Sequence, residues 1–415
     1  MKSAFCGIDF GTTNSILAVA DRDSVFLVPL EDGKTTLPTA IFCSKTDRMF
    51  GQHAIDAYMQ GAEGRFIRSI KRILGTDLMN STTLINNKQI SFDSLITAFL
   101  KEMKVRAEDY TQSELTSVVL GRPVHYQDYN PNADQLAEDK MRDIAQSIGF
   151  KNVVFQYEPI AAAFAHEQNL TEDKTALVVD LGGGTSDFTI IRIGPSYRLK
   201  TDRRDDILAT SGVRVGGNDF DRDLSVASFM PQFGRGTTYN AKNLSVPEFL
   251  FSHLSEWSKI NFMYTPKNIR MVKDILLTAH DPKRVENLLS LLEMQQAHQL
   301  LQIVEQAKIS LTTQDEIKTV FDNLGECLNF EIKKTDFEHS VQSECDKIMH
   351  SMKECLALAN LQAEEIDMLI LTGGTSQIPL VQQAIHQLFP HAIISDKQRM
   401  ESVAVGLACE AKVIY

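Results

Sequence analysis

The sequence predicts a two-lobed α/β protein built by internal duplication, and three observations predict it. Two short segments read as copies of one another. Phe5-Cys6-Gly7-Ile8-Asp9-Phe10-Gly11-Thr12-Thr13-Asn14-Ser15 runs into the apolar Ile16-Leu17-Ala18-Val19. Leu177-Val178-Val179-Asp180-Leu181-Gly182-Gly183-Gly184-Thr185-Ser186-Asp187 runs into Phe188-Thr189-Ile190-Ile191. Each reads strand, aspartate, glycine-rich turn with hydroxyls, strand, and repeats of this length govern the whole fold. The copies also stand far apart in a chain of 415 residues, which is long enough for two or more domains with sizeable cores. Lastly, strand and helix periodicities are interspersed along the chain.

The paired turns carry a chemical expectation. Glycine lets successive backbone N–H groups approach an anion and form a positive nest. The threonine and serine hydroxyls add donors. An aspartate beside a phosphate needs a cation between them, and Mg²⁺ held through carboxylates and water suits that place. Two such turns face to face would grip a polyphosphate from both sides. The alternative is a pair of ordinary tight hairpins with surface aspartates. The pattern G-x-x-x-x-G-K-[ST] is absent, which excludes a P-loop enzyme.

The bulk composition narrows the partners. Hydrophobic residues make up 43% and charged residues 23%, ordinary values for a soluble globular chain. The net charge of −12 argues against nucleic acid and against an anionic membrane surface as main ligands. The six cysteines (Cys6, Cys43, Cys327, Cys345, Cys355 and Cys409) are scattered and form no C-x-x-C pair, so a reduced, cytoplasmic setting is expected. Lys2 precedes an apolar run that Asp9 and Gly11 interrupt, so no signal peptide is expected. No transmembrane helix is expected either.

The elements follow in order. Residues 4–20 form two strands around the first turn. Short strands are expected at 25–28 and 40–43, with Pro29 and Pro38 at edges. Residues 52–60 and 65–74 read as helices, the second stopping at Gly75. The stretch 93–109 is an amphipathic helix with Leu95, Ile96, Phe99, Leu100 and Met103 on one face. Ser117–Gly121 is a buried strand, and 133–148 is a helix closed by Gly149. A strand at Val153–Phe155 precedes Glu158-Pro159, which opens an alanine-rich helix over 160–168.

The second lobe begins near 175. After its hairpin, Val213–Asp221 forms a turn into a helix capped by Asn218 or Asp219. Residues 231–247 read as a surface loop, and 284–311 as one long helical stretch. Its leucines suit either a partner helix or packing within the chain. Ile366–Leu371 is a strand entering Thr372-Gly373-Gly374-Thr375-Ser376. A helix over 379–388 follows, and 402–413 is a closing helix of small residues that would hinge the lobes.

In this order the segments resemble the ATPase domain of the DnaK-type heat-shock chaperones, within the actin, sugar kinase and heat-shock ATPase superfamily. The resemblance runs from residue 4 to residue 412. It is carried by the two hairpins, by Glu158-Pro159-Ile160-Ala161-Ala162-Ala163, by Gly216-Gly217-Asn218-Asp219-Phe220-Asp221 and by Thr372-Gly373-Gly374. Gly121-Arg122-Pro123, Phe155-Gln156-Tyr157-Glu158-Pro159 and an insertion between about 230 and 300 look closest to short, stand-alone YegD-like members. The resemblance implies an actin-like ATPase fold of duplicated ribonuclease-H-like lobes. The first lobe is expected over 1–170 with an outer subdomain near 33–96. The second is expected over 171–415 with an outer subdomain near 214–335. No peptide-binding domain is expected after Tyr415.

The resemblance also implies roles. Gly11, Thr12, Thr13 and Asn14 would hold the β- and γ-phosphates of ATP or ADP from the first lobe. Gly182, Gly183, Gly184 and Thr185 would hold them from the second. Asp9, Asp180 and Asp187 would hold hydrated Mg²⁺, and Asp180 or Thr185 would orient the attacking water. Lys71, in Ile70-Lys71-Arg72-Ile73-Leu74-Gly75, would stand beside the γ-phosphate. On sequence alone it reads sooner as a solvated surface lysine beside Arg68 and Arg72, and it is the resemblance that reverses this. Glu158 would sense the phosphate, with Pro123 relaying its state. Otherwise Glu158 is a carboxylate well placed at a helix start. Gly216 and Gly217 would border the nucleotide. Glu305, Lys308 and Thr312 would serve the ribose side, where Glu305 and Lys308 read equally as a helical ion pair. Gly373, Gly374 and Gln377 would lie along the adenine. The family's adenine-stacking arginines are Ile309 and Gln377 here, and Met400 replaces a customary aspartate.

The expected function is Mg²⁺-dependent binding and slow hydrolysis of ATP, coupled to lobe closure, in a chaperone-like protein with a client or co-chaperone as partner. Two rivals share the fold. One is a small-molecule kinase of the sugar type, although no sugar-binding motif stands out. The other is a non-enzymatic, actin-like scaffold.

Overall fold

The computed structural model describes residues 4–21, 24–76, 79, 81–86, 88–124, 126, 130–167, 170–198, 200, 203–257, 259–325, 327–395 and 401–415, apart from the side chains of 4, 72, 131, 204 and 261. Lys2, Gln168 at the end of the expected alanine-rich helix, and Met400 lie outside the described residues.

Two sheets repeat one plan. In the first, the strand Ala4–Phe10 pairs antiparallel with Asn14–Ala20, which pairs with Val25–Leu27. On its other side Ala4–Phe10 pairs parallel with Leu115–Arg122, and that strand with Asn152–Tyr157. In the second, Lys174–Leu181 pairs antiparallel with Ser186–Ile193, which pairs with Ile207–Val213. Its other side pairs parallel with Met368–Thr372, and that strand with Ile393–Ser395. The strand order is the same in both, so the repeat read from two hairpins extends to whole sheets. This is the duplicated, actin-like ATPase architecture expected from the sequence.

Each sheet has its own apolar core. Phe10, Leu17, Phe99, Met103 and Leu120 centre the first, and Leu181, Phe188, Phe220, Leu300 and Leu371 the second. A third cluster, with Val119, Ile160, Ala161, Val178, Ile370 and Leu407, joins residues of both sheets through the helices Glu158–Glu167 and Ser402–Ile414. Those helices cross closely. A side chain at Gly406 would place its Cβ 1.7 Å from the Ala161 carbonyl oxygen, so only glycine fits. Burial of these apolar surfaces supplies the main stabilisation.

Three expectations change. Residues 65–74 are not a helix. Arg65–Arg68 is a strand paired with Ala40–Cys43, and Ile70–Ile73 is a single 3₁₀ turn after Ser69 at φ 60°. Arg65-Phe66-Ile67-Arg68 satisfies its backbone groups against a neighbouring strand, which outweighs local helix propensity. The stretch 284–311 is two helices, Pro282–Glu293 and Ala297–Leu311, separated where Gln295 turns left-handed at φ 55°. Their leucines are buried inside this chain, which favours internal packing over a partner helix. Residues 231–247 contain the end of a 3₁₀ turn, Met230–Phe233, and a small hairpin of Thr238–Tyr239 with Leu244–Ser245. No helix among the described residues is long and apolar enough to cross a membrane.

Candidate functional site

The first glycine turn is held rigid from outside. Thr39 donates its backbone N–H to the Thr13 carbonyl at 2.7 Å and its hydroxyl to the Gly11 carbonyl at 2.8 Å. The second is braced by the segments that follow its sheet. Gly217 N–H donates to the Gly182 carbonyl at 3.0 Å, and Asn218 N–H to that of Gly183 at 2.7 Å. The Thr375 hydroxyl donates to the Gly182 carbonyl at 2.9 Å. These bonds occupy carbonyl oxygens and leave the turns fixed in one shape.

The two turns meet. A Cβ at Gly183 would lie 2.1 Å from Thr13 Oγ1, so glycine is what allows the lobes to approach. Behind this contact is a cavity of about 300 Å³. Its lining brings together Asp9, Gly11, Thr12, Thr13, Asn14, Lys71, Pro123 and Glu158 from the first half of the chain. From the second half it takes Asp180, Gly182, Gly183, Gly184, Thr185, Asp187, Gly373 and Gly374. Pairs of ordinary hairpins on separate surfaces would share no such cavity.

Its electrostatics are unbalanced. Four carboxyl groups (Asp9, Glu158, Asp180 and Asp187) line it together with two cations, Lys71 and Arg214. Lys71 is no surface lysine. Its side chain is 13% exposed and its ammonium donates to Glu158 Oε1 at 2.7 Å. Burial opposes the Lys71 charge, yet Glu158 and Asp9 carry its pKa above the ordinary lysine range. Burial, reinforced by the Glu158 charge, pushes Asp9 up to about 7, with Lys71 acting against it. Asp180 is raised well above the usual carboxylate range by burial, then by Glu158, Asp187 and Asp9. Thr185 donates its hydroxyl to Asp187 Oδ2 at 3.0 Å.

This donor set fits a hydrated divalent cation. The surplus of negative charge is what such an ion relieves. No three carboxylate, imidazole or thiol side chains among the described residues come close enough to enclose a metal directly, which suits an ion held through its own waters. The buried Thr13 hydroxyl has no hydrogen-bond partner among the described residues, which leaves a donor for a ligand oxygen.

The remaining expected residues lie outside the cavity lining. Gly216 and Gly217 pack against the second turn, where a Cβ on Gly216 would meet the Gly184 nitrogen at 2.6 Å. Glu305 and Lys308 do not pair with each other. Arg68 donates to both Glu305 oxygens, at 3.2 and 3.3 Å, and also stacks over Trp257 at 4.8 Å. Lys308 pairs with Asp221 at 2.8 Å and donates to the Gly217 carbonyl at 3.2 Å. Burial works against Glu305 ionising, but Arg68 holds its carboxyl below the ordinary range. Gln377 is exposed and Thr312 half-buried, and the Thr312 hydroxyl donates to the Ile309 carbonyl.

Sequence reasoning missed three site residues. Tyr126 lines the cavity just beyond the quoted Gly121-Arg122-Pro123, with Arg122 stacked over its ring at 5.3 Å. Arg214 lies inside the quoted glycine turn segment. Arg68 stands three residues before Lys71 and ties the first half of the chain to the helix Ala297–Leu311. Neighbouring motifs were the available signal for each.

Compared with protein families, the chain matches the family described as Hsp70 protein over residues 5–246 and 278–415. The unmatched residues 247–277 fall inside the insertion expected between about 230 and 300.

Proposed function

The chain belongs to the Hsp70 family, whose members bind ATP and are ATPases, and from that premise we propose that its cleft binds Mg²⁺-ATP and hydrolyses it slowly, with lobe closure as the output. The observation that carries this reading is the contact between the glycine turns, Gly183 against Thr13, over a cavity holding Asp9, Lys71, Glu158, Asp180 and Asp187. Phosphoryl transfer asks a protein mainly for positioning and charge neutralisation.

The backbone N–H groups of Gly11–Asn14 and Gly182–Thr185 hold the phosphates from opposite lobes. Lys71 sets its ammonium beside the terminal phosphate, and Glu158 fixes that ammonium in place. Asp180 or Thr185 orients the attacking water. Asp9, Asp180 and Asp187 hold the hydrated Mg²⁺, which when bound offsets charge on the phosphate oxygens. Pro123, beside Glu158, passes the state of the site to the first lobe. The outer parts near 33–96 and 214–335 act as jaws, and the helix Ser402–Ile414 is the hinge. The short YegD-like branch is the subtype this arrangement suits best. A client or co-chaperone and a cytoplasmic setting belong to the same reading.

Calorimetry with ATP and Mg²⁺ on the purified protein tests it. Binding with a slow release of phosphate in the absence of any acceptor is the expected result. No binding would defeat the proposal, and binding without hydrolysis would reduce the chain to a nucleotide sensor. A strict need for a small acceptor would favour the kinase, and ATP-dependent pelleting the scaffold.

A further inference from the structure

We propose that the helix Pro266–Leu276 and the small hairpin beside it form a docking groove for an extended, acidic segment of a partner protein. This goes beyond the nucleotide reading and does not depend on it. The groove is lined by Lys267, Arg270, Met271, Asp274 and Ile275 of the helix, with Pro247 and Tyr239. Apart from Tyr239, this lining falls in residues 247–277, the stretch outside the family match. The helix positions follow an i, i+3, i+4 spacing, so they share one face. Ile275 is buried and Met271 half-buried, which makes an apolar floor, while Lys267, Arg270 and Asp274 stand exposed. The hairpin is tied to the chain just past the helix. Asn240 N–H donates to the Thr278 carbonyl at 2.9 Å, and His280 N–H to that of Thr238 at 2.9 Å. A groove already fixed in shape loses little binding energy to ordering.

Charge selects the occupant. The chain carries −12 overall, yet residues 259–284 hold six lysines and arginines against two aspartates, which makes this stretch locally basic. Glu256, Glu293 and Asp281 neutralise Lys259, Lys273 and Arg284. The side chains of Lys267 and Arg270 have no ion pair or hydrogen bond among the described residues. Two free cations beside an apolar floor suit carboxylates carried next to an apolar side chain. Phe262, just before the helix, is 74% exposed and Leu277, just after it, 83%. Apolar surface left in water beside unpaired charge marks a protein contact. The groove is open, whereas small-molecule sites bury most of their ligand, so an extended chain fits it better. A bare polyanion such as nucleic acid would leave the floor unused and meet the Asp274 carboxylate.

Panning a phage-displayed library of random peptides on the whole protein tests this, with the recovered peptides titrated by fluorescence anisotropy. They should combine aspartate or glutamate with a large apolar residue, and their binding should weaken as salt rises. Lys267→Glu together with Arg270→Glu should weaken them by about tenfold or more, and Asp274→Asn should tighten them several-fold. All three positions are exposed, so the thermal midpoint should stay unchanged in each variant. No enrichment, enriched peptides without acidic residues, or equal affinity in the charge-reversed protein overturns the proposal. So does a dimer in sedimentation that the double variant abolishes, which would assign the groove to a second copy of this chain. Binding of random single-stranded DNA or of phosphatidylserine vesicles that the double variant abolishes would assign it to a polyanion and overturn the proposal equally.

Discussion

Lys71 is surrounded by more negative charge than it can neutralise, and that imbalance fixes what its loss should do. Its ammonium bonds Glu158 at 2.7 Å while Asp9 and Asp180 stand in the same cavity. Lys71→Ala should lower phosphate release by ~10²–10³-fold, the usual effect of removing one preorganised charge-stabilising donor. Binding of Mg²⁺-ATP should change far less, because the glycine turns remain. Single-turnover phosphate release beside calorimetry separates the two, and an unchanged rate would remove Lys71 from the chemistry. His298 gives a second residue-scale prediction. It is buried, its Nδ1 shares a hydrogen bond with the Tyr58 hydroxyl, and its ring lies 5.6 Å from Trp257. Burial, with Arg65 nearby, pulls its pKa from 6.5 down to about 4. Between those values the unfolded chain takes up a proton that the folded chain refuses. Stability is therefore unaffected by this group above pH 6.5 and falls as the pH drops toward 4, by about 3 kcal/mol at the lower end. Urea unfolding of the wild type and of His298→Gln across that range checks it. The variant should show the shallower slope, and equal slopes would contradict the assignment.

At the scale of elements, the closing helix is the piece with least freedom. Gly406 meets Ala161 backbone, and a Cβ on Gly7 would lie 2.4 Å from the Ala408 nitrogen, so helix and strand touch backbone to backbone. Gly406→Val must push the helices Glu158–Glu167 and Ser402–Ile414 apart, and overpacking of this kind costs about 3 kcal/mol. Chemical denaturation should show that loss, and full retention of stability would mean the crossing is looser than its geometry. Elements of this kind were legible because their signals are local: small residues in a helical run, glycine after an apolar strand, Pro159 and Pro379 at helix starts. The elements misread lack such signals. Ser69 and Gln295 turn left-handed without being glycine, so nothing marks the break at either place. Arg65–Arg68 becomes a strand only because Ala40–Cys43 is there to pair with it. The candidate site divides the same way. Residues inside glycine motifs were readable, whereas Tyr126 and the Arg68–Glu305 pair depend on contacts between distant segments that spacing does not encode.

At the scale of the molecule, the cavity between the glycine turns takes its walls from two sheets, and a shared apolar cluster ties those sheets together. A ligand there touches both halves of the repeat, so its binding energy must appear in both. Tyr58 with His298 and Arg68 with Glu305 add two further ties between the halves, outside the cavity lining. Hydrogen exchange with and without Mg²⁺-ATP reads this directly. At a ligand concentration of about 100 Kd, linkage stabilises the bound form by about 2.7 kcal/mol, so amides that exchange through lobe opening should slow by about a hundredfold. The expected pattern is slowing in 11–14 and 182–185 together, spreading to 65–68 and 298–305 as the ties tighten. Protection confined to one glycine turn would mean that the ligand sits on a single lobe. The duplication would then be an inherited symmetry with no part in closure.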